Sequence, residues 1–137
     1  MSWQSYIDNL VKTGDIDEAA IVGYQCNAEG IWAATEGYKN ITVDEIKRLA
    51  GTRTDFGASG PCVGGMKCRM LRDNLDDEGL HSMQLKTVAD GSGNAYMVCI
   101  GKTCKSFVIA KGKKDAQGGN VNQAVCSIVE YLRKNNS

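Results

Sequence analysis

Proline is nearly missing from this chain: one residue in 137, against 16 glycines. Turns must then be made by glycine, and the balance reads as tight turns between strands rather than a proline-rich linker. Histidine occurs once, at His81, so a Cys–His or Ser–His couple would have to be built on that one residue. Its setting, where a turn enters a strand, is that of a surface turn residue. Net charge is also missing: 16 basic residues balance 16 acidic ones, which removes a global attraction to nucleic acid while leaving local patches open. No apolar run approaches the roughly 18 residues of a membrane span. Residues 1–10 have neither the basic start nor the apolar stretch of a secretory signal, so a cytosolic protein is expected. The sequon Asn40-Ile41-Thr42 is inert without a secretory route. Six cysteines stand at 26, 62, 68, 99, 104 and 126 without any C-x-x-C spacing, which argues against a zinc ribbon or a thioredoxin-type site. They are expected as free thiols, mostly buried or half-buried.

The remaining catalytic and cofactor patterns fail in the same way. Asp76, Asp77 and Glu78 cluster in one turn and read as solvated carboxylates, with no further ligands placed to complete a metal site. Gly101-Lys102-Thr103 mimics the end of a P-loop, but Tyr96 stands where its first glycine is required. Gly91-Ser92-Gly93 has no third glycine for a dinucleotide fingerprint. No catalysis, metal or cofactor is expected.

What is there is an ordinary globular core. Hydrophobic residues at 42% and charged residues at 23% argue against disorder, and 137 residues make one domain, 1–137. Trp3, Tyr6, Ile7, Leu10 and Val11 recur at helical spacing behind Ser2, a candidate cap, with Gly14 as the stop. Residues 19–24 read as a strand buried on both faces, and 31–34 as its hairpin partner after the Glu29-Gly30 turn. Thr42 and Glu45 form a capping box that opens a short helix to about Ala50, closed by Gly51. The stretch 56–65 is loop-rich. Strands follow over 67–72, 82–88, 95–100 and 106–111, separated by turns at 76–79, 90–93 and Gly101-Lys102, an antiparallel meander. A last helix over about 120–134 carries Val121, Val125, Ile128 and Leu132 on one face.

Two constellations carry chemistry. If the terminal helices pack side by side, Trp3 and Tyr6 from the first, Tyr131 and Leu132 from the last, and Trp32 from the second strand converge into an aromatic shelf. Flat rings with polar tips suit proline-rich ligands in the polyproline II form. In the strand over 67–72, Cys68 and Met70 take one face and Lys67, Arg69 and Leu71 the other, with Lys86 on the adjacent strand. An apolar Leu71 among basic neighbours suggests a partner surface.

These residues, taken in order, resemble the profilin family of small actin-monomer-binding proteins, best its animal type, and the likeness covers essentially the whole chain. It is carried by Trp3-x-x-Tyr6-Ile7-Asp8-Asn9-Leu10, by 19–24 followed by Trp32-Ala33-Ala34, by Gly64-Gly65-x-Lys67-Cys68, by Arg72-Asp73, and by Gly118-Gly119-x-x-Asn122. The resemblance implies an α+β fold (an α/β sandwich). A central, mainly antiparallel sheet of six to seven strands would carry the terminal helices on one face and short helices on the other. It implies a monomer with three binding activities. Proline-rich proteins would bind Trp3, Tyr6, Trp32, Tyr131 and Leu132. Monomeric actin would bind Phe56, Lys67, Leu71, Arg72, Lys86, Gly119 and Asn122, on the far side of the molecule. Phosphoinositide headgroups would bind Lys67, Arg69, Arg72 and Lys86, with Arg133 and Lys134 as a second patch. The chain departs from the family pattern in Tyr131, where a histidine is usual, and in its last residue, Ser137, where an aromatic is frequent. It departs on the actin side at Gly57, Ala58, Gln117, Gln123, Cys126 and Ser127. An alternative reading is therefore a divergent paralogue that keeps proline-rich and headgroup binding with weak or lost actin binding. A small-molecule sensor on a similar frame would instead need a buried pocket.

Overall fold

The computed structural model of the chain describes residues 3–12, 14, 16–25, 30–50, 62–64, 66–74, 82–87, 95–103, 105–113 and 118–134, with backbone alone at 50, 66, 72–74 and 118. Helix α1 (Trp3–Lys12) leads into β1 (Ile16–Gly23) and β2 (Gly30–Ala34). A 3-10 turn (Glu36–Tyr38) and α2 (Val43–Ala50) follow. Then come β3 (Cys62–Val63), β4 (Met66–Asn74), β5 (Ser82–Thr87), β6 (Met97–Lys102), β7 (Ser106–Gly112) and α3 (Gly118–Lys134).

The seven strands form one sheet in the order β2-β1-β7-β6-β5-β4-β3, with every neighbouring pair antiparallel. Side chains alternate across a strand, so a sheet covered on both sides needs apolar residues at consecutive positions. That is why Ala19 to Val22 and Phe107 to Ala110 are unbroken apolar runs. Ala20, Val22, Phe107 and Ile109 face one core layer with Tyr38, Ile41, Ile46 and Leu49 from the 3-10 turn and α2. Ala19, Ile21, Val108 and Ala110 face the other layer, with Ile7 and Leu10 of α1 and Val121, Val125, Val129 and Leu132 of α3. The fold class expected from the resemblance is the one observed, terminal helices on one face and short helices on the other.

The local signals explain most boundaries. Gly14 at φ 87° ends α1, its N–H donating to Val11 O at 3.2 Å. The capping box of α2 is formed in both directions: Glu45 N–H donates to Thr42 Oγ1 at 3.1 Å and Thr42 N–H to Glu45 Oε1 at 3.0 Å. β1 begins at Ile16, earlier than its apolar run, because the β1–β7 ladder reaches Ile16 opposite Gly112 and a Lys111–Asp17 ion pair at 3.5 Å lies across it.

Three expectations need correction. β6 is displaced by two residues, so Gly101-Lys102 lies in the strand and makes no turn. Gly101 is there because α3 passes over it. A Cβ at Gly101 would collide with Val129 Cγ2 and come within 2.8 Å of Val125 Cγ1. The hairpin closes one step later. Thr103 N–H donates to Ser106 O at 2.8 Å, Ser106 N–H donates to Thr103 Oγ1 at 2.9 Å, and the Tyr24 hydroxyl donates to Thr103 O at 3.0 Å. Gly118 and Gly119 are the first residues of α3 rather than a step before it. Residues 62–63, read within a loop, pair with 66–67 as a short edge hairpin. Gly64 turns that hairpin at φ 60°. Ser2, Gly51, His81 and the turns at 76–79 and 90–93 lie outside the described residues.

Candidate functional site

Four rings form a continuous row along the edge of the sheet that α1 covers. Trp32 of β2 is 38% exposed and stands 4.9 Å, centroid to centroid, from Trp3. Trp3 is 5.8 Å from Tyr6, one helical turn along α1, and Tyr6 is 6.0 Å from Tyr131 of α3. Successive rings tilt by 44–49°, so the row offers edges and faces together. Trp3 and Tyr6 are half-buried, their inner sides packed on the core layer beneath α1 and α3. Tyr131 is 52% exposed. The five residues singled out from the sequence are thus brought together, but not in one role. Leu132 is 2% exposed and belongs to the core on which Trp3 and Tyr6 rest. The Tyr6 hydroxyl is pushed above its ordinary pKa, first by burial, then by Tyr131 beside it and the hydrogen bond between them. The Tyr6 phenol therefore stays neutral at physiological pH.

The second constellation lies beyond α3, toward the opposite edge of the same sheet face. Cys68, Met83 and Leu85 point into the α2 layer. The alternating Arg69 and Lys86 therefore point to the α3 side, where they are direct cross-strand partners. Lys67 is exposed two residues before Arg69. A bulge between Met70 and Arg72 interrupts the ladder, and Leu71 within it is 55% exposed. Like charges directly opposite are unfavourable on their own, so a Lys–Arg pair around an exposed leucine suits a partner that brings anionic groups.

Gly119 and Asn122 stand in the first turns of α3, which packs on β5, β6 and β7. Gly119 is exposed with open space where a Cβ would be. Asn122 is half-buried and its Oδ1 has no hydrogen-bond partner. Phe56 and the side chain of Arg72 lie outside the described residues. Arg133 and Lys134 sit at the other end of α3. Arg133 Nε donates to Lys102 O at 2.7 Å, which ties it to the β6–β7 hairpin.

Next to the patch, the β3–β4 turn is clasped from two sides. Asn40 Nδ2 donates to Gly64 O at 2.9 Å, and Gly64 N–H donates to Glu45 Oε1 at 3.2 Å. The capping-box glutamate was legible in the sequence, but its second bond to Gly64 was not, because nothing local places the hairpin against α2.

None of the four described cysteines forms a disulfide. Cys62 is exposed, Cys126 half-buried, and Cys68 and Cys99 buried. Burial first, then Cys62 and Glu45 nearby, pushes Cys68 up to about 12 despite a hydrogen bond from Val63. Burial, with Cys126 nearby, pushes Cys99 up to about 12 as well. Thiols held protonated in this way are poor nucleophiles and poor metal ligands.

Comparison with known proteins agrees with this fold. The profilin family model matches residues 1–137. Human Profilin-2 is 40% identical over 134 residues, covering 96% of this chain and 95% of that protein. Human Profilin-1 is 38% identical over 135 residues, covering 96% of each. Mouse Profilin IIa, solved in complex with a double repeat from the FH1 domain of mDia1, superposes with a TM-score of 0.94 at 38% identity over 100% of both chains.

Proposed function

This chain belongs to the profilin family, and from that premise we propose that it is an adaptor with two working edges. Profilins are non-enzymatic, actin-binding, cytoplasmic proteins associated with the cytoskeleton. The chain takes proline-rich ligands on the row Trp32, Trp3, Tyr6 and Tyr131, with Leu132 as support beneath. It takes monomeric actin on the surface of Lys67, Leu71, Lys86, Gly119 and Asn122, and Phe56 and Arg72 are assigned to the same partner from the sequence alone. Phosphoinositide headgroups share the cations of that surface, Lys67, Arg69, Arg72 and Lys86, so headgroup and actin compete. Arg133 and Lys134 form a lesser patch.

The observation that carries this reading is the unbroken four-ring row. Ordinary core packing would bury two tryptophans rather than leave Trp32 38% exposed beside a half-buried Trp3. The FH1 repeat seen with the mouse relative supports a proline-rich ligand here. Because the row and the basic patch lie toward opposite edges of the sheet, both ligands fit at once. A tethered proline-rich protein then receives an actin subunit at high effective concentration, without new chemistry.

A second reading keeps proline-rich and headgroup binding but weakens actin binding. It is favoured by the flank of α3, where Ser127 Oγ donates to Gln123 O at 3.0 Å and so turns back onto its own helix. That flank carries no charge at 123, 126 or 127 to anchor a partner.

Intrinsic tryptophan fluorescence against decaproline, with the parent and Trp3→Ala, tests the shelf. Saturable binding lost in the variant supports it, and unchanged binding refutes it. Lys86→Glu, titrated separately with monomeric actin and with phosphoinositide vesicles, tests the shared surface. Loss of both is expected, and loss of one alone refutes the sharing.

A further inference from the structure

Trp32 reaches the shelf only because β2 is irregular. Side chains alternate across a strand, so a regular β2 with Ala33 on the α1 side would send Trp32 to the other side. The ladder between β1 and β2 avoids this. Ala34 stands opposite Ala20 and Ala33 opposite Ile21, but Val22, the next residue of β1, stands opposite Ile31, and Gly23 opposite Gly30. Trp32 is skipped and is the extra residue of a β-bulge. The two core layers carry the same shift. Ala34 and Ile31 pack in the α2 layer with their partners Ala20 and Val22, while Ala33 packs in the other layer with Ile21. Trp32 stands on the α1 side as Ala33 does, its ring 4.9 Å from Trp3. Two consecutive residues thus share one face, which a regular strand forbids.

A competing register differs by a single residue. With the bulge removed, Trp32 would stand opposite Val22 and turn into the α2 layer, while Ile31 would stand opposite Gly23 on the α1 side. The shelf would lose its end ring. Ile31 opposes this slip. It is half-buried against the α2 layer and fills the place opposite Val22 that Trp32 would take.

We propose that Ile31 is a positioning residue for the shelf: by holding the place opposite Val22, it maintains the bulge that turns the Trp32 indole toward Trp3 and the proline-rich ligand. The proposal rests on the proline-rich reading above. It adds to that reading the register of β2, which is set on the opposite face of the sheet from the ligand.

Two indoles 4.9 Å apart couple, and their exciton couplet in far-ultraviolet circular dichroism reports the Trp3–Trp32 geometry without any ligand. The couplet is identified as the signal lost in both Trp3→Phe and Trp32→Phe. Ile31→Ala, Ile31→Val and Ile41→Ala are then compared with the parent, each below its unfolding transition, by this couplet and by tryptophan fluorescence with decaproline. Ile41 is buried in the same layer but lies outside β2, so Ile41→Ala removes the same atoms from that layer and leaves the bulge alone. Ile31→Ala is expected to lose the couplet and to bind decaproline roughly tenfold more weakly. Ile31→Val keeps the branched anchor and should keep both signals. Ile41→Ala should keep both at a lower Tm. An Ile31→Ala protein with the parent's couplet and affinity overturns the proposal. An Ile41→Ala protein that loses both to the same degree also overturns it, because general loosening of the layer would then suffice. Ile31→Thr, which keeps the β-branched shape but puts a hydroxyl in the apolar slot, is read in the same way and covers an Ile31→Ala chain that fails to fold. In the parent, nuclear Overhauser contacts are expected between the methyl groups of Ile31 and Val22, and contact of the Trp32 indole with Val22 instead overturns the proposal. A parent that does not bind decaproline overturns the proline-rich reading and this proposal with it. A parent whose binding is lost in Trp3→Ala and unchanged in Ile31→Ala overturns this proposal alone.

Discussion

Replacing Gly101 by alanine should damage both the core and the shelf through one added methyl group. Gly101 is fully covered by α3, and its missing Cβ is what lets the helix lie this close. The new carbon would collide with Val129 Cγ2 and approach Val125 Cγ1 to 2.8 Å, both on buried, branched side chains with little freedom to turn away. Relief comes only by lifting α3, and overpacking of this kind costs about 1–3 kcal/mol. Alanine returns about 0.5–1 kcal/mol as a better strand residue than glycine. At mid-range the net loss is about 1 kcal/mol, or about 3–4 °C in Tm for a domain of this size. Because Tyr131 rides on α3, the lifted helix also opens its 6.0 Å spacing to Tyr6, so decaproline affinity falls with stability. Urea unfolding followed by circular dichroism measures the first effect, and tryptophan fluorescence the second. Adding Val129→Ala makes room for the methyl, so the double variant should lose less than the two single losses together. A Gly101→Ala protein as stable as the parent would refute the close-approach explanation of this glycine.

Other outcomes follow from the same structure. Asn40→Ala removes the bond to Gly64 O and should cost about 1 kcal/mol in urea unfolding, while leaving decaproline binding at the opposite edge unchanged. Native protein treated with iodoacetamide at pH 8 should be alkylated at the exposed Cys62 and spared at Cys68 and Cys99, with peptide mass mapping as the readout. The same two thiols give a pH dependence whose sign is fixed. Below the ordinary value of 9.0 both folded and unfolded chains keep these protons, and between there and about 12 only the folded chain does. Their contribution to stability therefore declines as pH rises through that window, and Cys68→Ala with Cys99→Ala should flatten the decline.

Much of this molecule is legible in its sequence because the relevant signals are local. The apolar spacing of α1, the Thr42–Glu45 box and the apolar runs of β1 and β7 each act over a few residues, and each forms the element it encodes. Gly101 shows where local reading stops. Next to Lys102 it looks like a turn residue, and only the distant Val125 and Val129 explain it as a strand residue under a helix. The actual turn depends on the Thr103 hydroxyl, which competes with the backbone for Ser106 in a way that composition does not announce. The shelf was legible as a set of residues because two tryptophans and a helical Trp–Tyr spacing are rare enough to notice. Its order was not, since Tyr131 meeting Tyr6 and Leu132 sinking beneath them depend on how α1 and α3 pack. On the basic patch, alternation identified the outward face of β4, but the Arg69–Lys86 pairing depends on a register that a bulge interrupts.

The adaptor account stands or falls on simultaneous occupancy of two edges. The direct measurement is retention of monomeric actin on decaproline-coated beads in the presence and absence of this protein. The account predicts that actin is held only when the protein is present, that it is lost with Trp3→Ala because the protein leaves the beads, and that it is lost with Lys86→Glu while the protein stays. Beads that hold the protein but never actin, under conditions where the two bind each other in solution, would contradict it.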